Sequence, residues 1–280
     1  MKIFVRLHDI AMKSDPYYLA KKAKEIGFDG VQLVINKAIE NESGLPGTLS
    51  EERKHYIAKA FKDEGLEVGM LGAYFNPVHS NKELVKTNIA KFKEYLSFAK
   101  DFDCYLVGSE TGSFNDDKWT YNPLNRTEEA YQEVLSIFID LVEHSKSTSC
   151  NVAIEGADGH CMYKPEQLHR LYTDLNSEKV SIIVDVFNYL NIENYSKEYQ
   201  NDILDRCINL FGDKICIFHL KDFKVEDGKL KNIGLGDGLM DLEHLIPKIK
   251  AHCPNAYLVF EGVPFATMES SLKHIKNLLK

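Results

Sequence analysis

Short apolar runs alternate eight times with longer stretches of helical periodicity along this chain of 280 residues. The apolar runs are rich in Val, Ile, Leu and Phe, and the segments between them are amphipathic. Strands this apolar, separated by helices, are typical of a parallel sheet that is covered on its outer face. The pattern predicts strands over residues 2–8, 29–34, 67–73, 104–109, 151–156, 180–186, 215–220 and 256–262.

The segments between the strands carry helix signals. Asp15 precedes Pro16 at the first helical position, and Ser50 is placed to cap a second helix. Helices are predicted over residues 16–26, 51–64, 81–102, 127–147, 164–175, 198–211, 241–251 and 267–279. The longer loops are predicted at 35–50, 110–126 and 222–240.

Eight strand-helix units in one chain predict an α/β fold, a single-domain (β/α)₈ TIM barrel over residues 1–280. Such a barrel needs about 250 residues. The rival is an open doubly wound sheet, which normally has a glycine-rich turn after its first strand. Here that turn reads HDIAMKSD and contains no glycine, which favours the barrel.

Charge and composition narrow the function classes. The formal net charge is −8 and no basic run is present, so nucleic acid is not the expected partner. No apolar stretch approaches the roughly 20 residues of a membrane span, and the N-terminus does not resemble a signal peptide. The six cysteines are scattered without a C-x-x-C pair, which indicates reduced thiols and a cytoplasmic protein.

The last four predicted strands each end on a side chain that can bind a metal. Glu155, Asp185, His219 and Glu261 lie at the carboxyl ends of strands five to eight. A single acidic residue after a strand is usually a helix cap or solvated, but four in register on consecutive strands converge at the mouth of a barrel. Three carboxylates and one imidazole suit one divalent metal, with Mn²⁺, Mg²⁺, Co²⁺ and Zn²⁺ as candidates.

Three further segments read GFDGVQL at 27–33, HLKD at 219–222 and IGLGDG at 233–238. Together with the four candidate ligands, they resemble the xylose isomerase-like TIM barrel superfamily, which includes sugar isomerases, ketose 3-epimerases, inosose dehydratases and apurinic endonucleases. The resemblance covers essentially the whole chain. The ligand set is specific to the superfamily but does not choose among its members.

The resemblance implies a mechanism. The metal would bind two oxygens of a hydroxy-ketone or hydroxy-aldehyde and stabilise an enediolate. Glu155 and Glu261 would be the catalytic acid and base on opposite sides of the substrate, while Asp185 and His219 would be ligands only.

The chain departs from the family patterns at several positions. Asn188 stands where the ketose 3-epimerases and the endonucleases have a His, and Asp158 and His160 stand in place of a second Glu of the epimerases. The strand-seven loop lacks the epimerase arginine. The endonuclease branch needs further His and Asp ligands that are missing here, so a DNA-repair site is not expected.

Other residues of the same face are candidates for substrate binding. His8 ends strand one, and Lys221 follows His219 by two residues, so it points to the same side. Glu110 and Trp119, in the loop after strand four, have structural roles as alternatives to substrate contact. The predicted substrate-binding residues are His8, Asn76, His79, His160, Asn188 and Lys221.

The leading hypothesis is a metal-dependent sugar isomerase or epimerase acting on a small ketose or aldose through an enediolate. The alternatives are a lyase of the inosose-dehydratase kind and a non-catalytic barrel that binds a sugar. The partner is a small-molecule sugar, with neither nucleic acid nor a membrane. Homo-oligomers are common among such barrels, although the sequence shows no interface signature.

Overall fold

Eight parallel strands close into a barrel in the computed structural model, which describes residues 1–280. Around the barrel the strands follow the order β1-β10-β7-β6-β5-β4-β3-β2, so all eight predicted strands and the barrel itself are confirmed. The barrel strands are β1 (Ile3–Arg6), β2 (Gly30–Leu33), β3 (Glu67–Gly72), β4 (Leu106–Glu110), β5 (Asn151–Glu155), β6 (Val180–Asp185), β7 (Ile215–Leu220) and β10 (Tyr257–Phe260).

Helices surround the barrel, and all eight predicted helices are present. The side chain of Asp15 accepts a hydrogen bond from the Tyr17 N–H at the start of the first helix, and Ser50 caps the helix that begins at Glu51. One short helix, α2, was not predicted. The helices are α1 (Pro16–Ile26), α2 (Ile35–Ala38), α3 (Glu51–Asp63), α4 (Lys82–Phe98), α5 (Glu128–Ser145), α6 (Pro165–Leu175), α7 (Lys197–Phe211), α8 (Leu242–His252) and α9 (Met268–Leu278). None of them is both long and apolar enough to cross a membrane.

A layer of apolar side chains closes the interior of the barrel. The Phe4 ring fills space that Gly30 and Gly69 leave open, because a Cβ at Gly69 would lie 2.3 Å from the ring. The ring also stacks on Tyr257 with the centroids 4.3 Å apart. The layer consists of Phe4, Met70, Ala153, Ile183, Ile217 and Val259. A second core of 72 buried residues packs the outside of the strands against the helices.

This apolar layer determines where the predicted ligands lie. Side chains two positions apart on a strand point to the same face, so the residue two places after each layer member also points inward. It lies one step nearer to the carboxyl end of the barrel, where active sites of this fold are found. Ala153, Ile183, Ile217 and Val259 of the layer are followed in this way by Glu155, Asp185, His219 and Glu261.

The segment 222–240, predicted as a loop, is partly a β-hairpin, and the prediction was wrong there. Strands β8 (Asp222–Glu226) and β9 (Lys229–Ile233) pair antiparallel outside the barrel. Asp227 and Gly228 both have positive φ, at 52° and 66°, which is the backbone that a tight two-residue hairpin turn requires. The Asp-Gly pair was therefore a readable signal, but the charged residues around it do not alternate with apolar ones as a buried strand would.

Candidate functional site

The four predicted ligands meet in one buried cluster at the carboxyl end of the barrel. One donor atom from each of the four lies within 4.8 Å of the donor atoms of the others. No more than 9% of the surface of any of these residues is exposed. Strands β5, β6, β7 and β10 are consecutive neighbours in the barrel, which is why side chains so far apart in sequence converge.

The imidazole of His219 is oriented by a side chain from the opposite wall. Its Nε2 donates to Gln32 Oε1 at 2.7 Å, and the Gln32 amide nitrogen donates in turn to the Tyr74 hydroxyl at 2.8 Å. These two hydrogen bonds leave His219 Nδ1 facing Glu155 Oε1 at 3.1 Å and Glu261 Oε2 at 3.0 Å. Metal-binding histidines commonly have their second nitrogen held by such a partner, which selects the tautomer and the ring orientation.

The donor set fits a divalent cation. Two ligand atoms at right angles, each about 2.1 Å from Mg²⁺, would be about 3 Å apart. The separations of His219 Nδ1 from Glu155 and from Glu261 match that spacing. Without a cation these carboxylates depend on neighbouring positive groups. Burial alone would lower the pKa of His219, but the charges of Glu155 and Glu261 outweigh it and raise that pKa to about 10.

Two permanent cations also lie against the cluster. Arg6 Nη1 donates to Glu261 Oε1 at 2.7 Å while the same guanidinium holds Asp9. The Lys221 ammonium lies 2.8 Å from Asp185 Oδ2 and 3.0 Å from Glu261 Oε1. Burial would raise the pKa of Glu261, yet Lys221 and His219 hold that pKa well below its ordinary value. Glu261 is therefore ionised in this environment.

Asn188 links the two halves of the cluster. Its side-chain nitrogen donates to Glu155 Oε1 at 2.8 Å, and its side-chain oxygen accepts from Lys221 Nζ at 2.9 Å. An amide cannot act as an acid or base, but Asn188 has a fixed hydrogen-bonding role here. The amide orients Glu155 and also lines the cavity beside it.

Two cavities lie at the mouth of the barrel beside the cluster. The larger chamber has a volume of about 360 Å³ and lies beneath the loops after β4, β5 and β6. The smaller chamber has a volume of about 90 Å³ and is lined by Arg6, at the end of β1, and by His8, in the 3₁₀ turn that follows it. Glu110 and Trp119 line both chambers and so separate them. The larger chamber also contains His160, Asn188, Asp158 and Phe187 among its walls.

Glu110 is a further acidic group at this mouth. It ends β4 and pairs in register with Glu155 on the neighbouring strand. Burial, and then the charges of Glu155 and Glu261, raise the pKa of Glu110 to about 8. At neutral pH its carboxyl group is therefore mainly protonated and can donate a hydrogen bond into either chamber.

His160 is a neutral imidazole in the wall of the larger chamber. It is 3% exposed, packs 4.9 Å from the Trp119 ring and has no hydrogen-bond partner at Nδ1. Burial, with a smaller contribution from the charges of Lys221 and Arg126, lowers its pKa to about 3. The free Nδ1 is a group that a hydroxyl in the chamber could satisfy.

Protonation of His160 gives the fold a specific pH dependence. In the unfolded chain the His160 imidazole takes up a proton as the pH falls below about 6.5, whereas in the folded chain it does so only near pH 3. The free energy of unfolding therefore decreases as the pH falls between these values. At pH 5 this one residue should reduce the free energy of unfolding by about 2 kcal/mol relative to pH 7. His160→Phe keeps an aromatic ring against Trp119 and should remove that part of the loss.

Urea denaturation at pH 7 and at pH 5 measures the effect. The matched control is His55→Phe, which replaces an exposed imidazole on α3 and should leave the pH dependence as in the parent chain. Equal losses of stability in the His160→Phe variant and the parent chain would contradict the assignment of a buried neutral His160.

Asn76 and His79 line neither chamber. Asn76 is 8% exposed, and its amide bonds the backbone of Ser113, Asp116 and Val78, so it clamps the loops after β3 and β4 together. His79 Nδ1 accepts from the Asn81 N–H at 2.9 Å. A contact of either residue with a substrate hydroxyl stays a prediction. His8, His160, Asn188 and Lys221 lie at the chambers or the cluster, and their contact with a substrate also stays a prediction.

Three residues that contact the ligand cluster, directly or through one neighbour, were not among the predicted site residues: Arg6, Gln32 and Tyr74. Arg6 shares the inward face of β1 with Phe4, two residues earlier, and a charged residue at an inward position is a usable signal. Gln32 is also a polar residue in an apolar strand, and it is 1% exposed. Tyr74 follows β3 and is not a polar residue inside an apolar strand, so the sequence gives no comparable signal for it.

Fold and cluster together define a TIM barrel with a buried group of acidic and histidine side chains that could hold a metal ion at the carboxyl ends of its strands. The family model for the xylose isomerase-like TIM barrel matches residues 20–278 of the chain. The chain therefore belongs to that family. No curated protein sequence matches it.

Solved structures resemble the chain over its whole length. The probable 3-DHS dehydratase AsbF from Bacillus anthracis has a TM-score of 0.76 at 15% identity, covering 99% of both chains. A xylose isomerase-like TIM barrel protein from Mycobacterium smegmatis, in complex with magnesium, has a TM-score of 0.75 at 12% identity and covers 100% and 98%. A D-tagatose 3-epimerase-like protein has a TM-score of 0.74 at 18% identity with the same coverage. At these identities the likeness concerns the fold.

Proposed function

We propose that the chain is a divalent-metal-dependent isomerase or epimerase of a small ketose or aldose. The observation that carries the proposal is the convergence of Glu155, Asp185, His219 and Glu261 beside a chamber of about 360 Å³. That volume suits a small polyhydroxy compound, and the polar walls suit hydroxyl groups. The metal is Mg²⁺, Mn²⁺, Co²⁺ or Zn²⁺, and when bound it would supply Lewis-acid stabilisation of negative charge on the substrate oxygens.

The two glutamates are arranged for proton transfer on opposite sides of a substrate. Strands β5 and β10 are separated in the barrel by β6 and β7, so Glu155 and Glu261 approach the centre of the mouth from different walls. One carboxylate takes the proton from the carbon beside the carbonyl, which leaves an enediolate. The other glutamate, in its protonated form, gives a proton to the opposite face of that carbon to form an epimer. If the proton goes to the neighbouring carbon and the hydroxyl proton moves to the former carbonyl oxygen, an isomer forms.

Neighbouring side chains support these roles by holding each glutamate in place. Asn188 donates to Glu155 Oε1, and Arg6 donates to Glu261 Oε1. A base whose rotamer is fixed in this way loses little entropy when it reaches the substrate proton. Arg6 and Lys221 also keep Glu261 ionised, which a proton acceptor needs.

A second candidate is a lyase that eliminates water from the same enediolate. The observation that favours it is Glu110, whose raised pKa makes it a proton donor at neutral pH between the two chambers. A departing β-hydroxyl needs such a donor. AsbF, one of the proteins with a similar fold, is described as a probable dehydratase, which is consistent with a lyase as the second candidate.

Incubation with candidate ketoses and aldoses in D₂O, followed by NMR, tests the proposal and separates the two reactions. Incorporation of deuterium at the carbon beside the carbonyl, with a new sugar isomer and no dehydrated product, is the expected result with Mn²⁺ or Mg²⁺ present. A dehydrated product would identify the lyase. The absence of both deuterium exchange and product across a panel of tetroses, pentoses and hexoses would contradict the proposed function. It would favour the non-catalytic sugar-binding barrel.

A further inference from the structure

A lysine ammonium lies inside the ligand cluster itself. Lys221 is 7% exposed, and its Nζ lies within 3.0 Å of a carboxylate oxygen of both Asp185 and Glu261, which are two of the four candidate ligands. A buried ammonium is costly unless it is paired with negative charge, so this contact is a principal interaction of the side chain. The cluster therefore holds a cation that is part of the chain.

Strand geometry brings the lysine to this place. Lys221 comes directly after β7 and follows His219 by two residues, so both side chains point toward the barrel axis. Strand β7 lies between β6 and β10, which carry Asp185 and Glu261 at their ends. The long lysine side chain therefore spans the gap between the two carboxylates.

We propose that the Lys221 ammonium and the divalent metal compete for the carboxylates of Asp185 and Glu261. The inference rests on the proposed function, since it concerns the same metal site. An ammonium and a divalent cation bound to the same two carboxylates would be only a few ångströms apart in a buried site, where like charges repel strongly. Binding of the metal thus displaces Lys221 from at least one of them.

The displaced ammonium has a defined place to go. Lys221 Nζ already lies 2.9 Å from Asn188 Oδ1 and 5.5 Å from the centre of the Phe187 ring. Both residues line the larger chamber. Movement toward them keeps a hydrogen bond and a cation–π contact while it releases the carboxylates. Metal binding would in this way turn the lysine toward the substrate, where a positive charge can bind a carbonyl or enediolate oxygen.

Titration of Mn²⁺ into the full chain by calorimetry at pH 7.5 tests the competition. Lys221→Met removes the ammonium and keeps most of the apolar stem. We expect it to bind Mn²⁺ about tenfold tighter than the parent chain, or more, because the metal no longer displaces a cation. Lys224→Met is the matched control. It removes an exposed lysine of the same segment, and that lysine pairs with Glu226 and not with a candidate ligand. Its Mn²⁺ affinity should equal that of the parent.

Thermal unfolding provides a second readout. The metal-free Lys221→Met chain should melt below the parent chain, and saturating Mn²⁺ should raise its melting temperature by more than it raises that of the parent. Circular dichroism establishes that the variant is folded, and Lys221→Gln replaces it if it is not. Mn²⁺ affinity in the variant equal to or weaker than in the parent would overturn the competition.

The outcomes separate this inference from the proposed function. Equal binding by parent and variant refutes the competition and leaves a metal-dependent reaction in place. Binding by the variant alone supports the competition but refutes metal dependence of the parent chain. Absence of Mn²⁺ binding in both refutes the competition together with the metal site.

Discussion

Glu261→Gln should lower the rate of C–H exchange into D₂O by about 10⁴-fold for the epimer whose proton Glu261 removes, the upper end of the contribution of a positioned acid or base. The substitution removes a proton carrier and one charged candidate ligand of the metal at once. It also leaves Arg6 and Lys221 without the carboxylate oxygen that both now contact. Exchange of the substrate proton, followed by NMR at saturating Mn²⁺, measures the effect.

The companion variant Glu155→Gln distinguishes epimerisation from other outcomes. If the two glutamates serve opposite faces, each variant keeps one base, so one epimer should retain slow deuterium exchange without converting to the other. The epimer that exchanges should differ between the two variants. Glu243→Gln, on the exposed face of α8, is the control and should retain full activity. Activity within tenfold of the parent in either site variant would refute the acid-base assignment.

Asp222→Ala should have the largest effect on stability, a loss of about 4 kcal/mol in the free energy of unfolding. The carboxylate is 1% exposed and accepts backbone hydrogen bonds from Phe223, Gly236, Gly238 and Met240 at 2.7–3.0 Å. It thereby fastens the segment after β9 to the start of β8. Leaving a buried N–H without an acceptor costs about 1–3 kcal/mol, and two of these donors belong to buried residues.

Urea denaturation of the full chain measures this loss, which is a large part of the roughly 5–15 kcal/mol that stabilises a folded domain. Asp237→Ala is the matched control, because that carboxylate is exposed in the same segment. It should change the stability by less than about 0.5 kcal/mol. A loss below about 1 kcal/mol for Asp222→Ala would mean that water replaces the carboxylate at all four N–H groups.

The four candidate ligands could be found from the sequence because their signal is local. Each stands directly at the end of an apolar strand, where a charged or imidazole group is costly unless it has a partner. The alternation of strand faces then predicts on which side it lies. Asn188 and Lys221 could be placed near the ligands by the same argument, since each follows a ligand by two or three residues.

Other parts of the site could not be found in that way. The contact between Gln32 and His219 joins residues 187 positions apart, and the contact between Arg6 and Glu261 joins residues 255 apart. Closure of the barrel creates both contacts, and no sequence pattern predicts either of them. The role of Asn76 as a clamp between two loops was likewise hidden, because it depends on the backbone of another loop.

The order of apolar strands and amphipathic helices determined the barrel by itself, because burial of a strand on both faces leaves few other arrangements for eight such units. It also determined which residues stand at the carboxyl ends. Only the tertiary structure decided which contacts these groups make. It placed Gln32 against His219 and Glu110 between the two chambers. It also placed Lys221 between Asp185 and Glu261. The physical reason is that Coulomb interactions and hydrogen bonds depend on distances across the barrel, and those distances exist only once β1 and β10 have closed it.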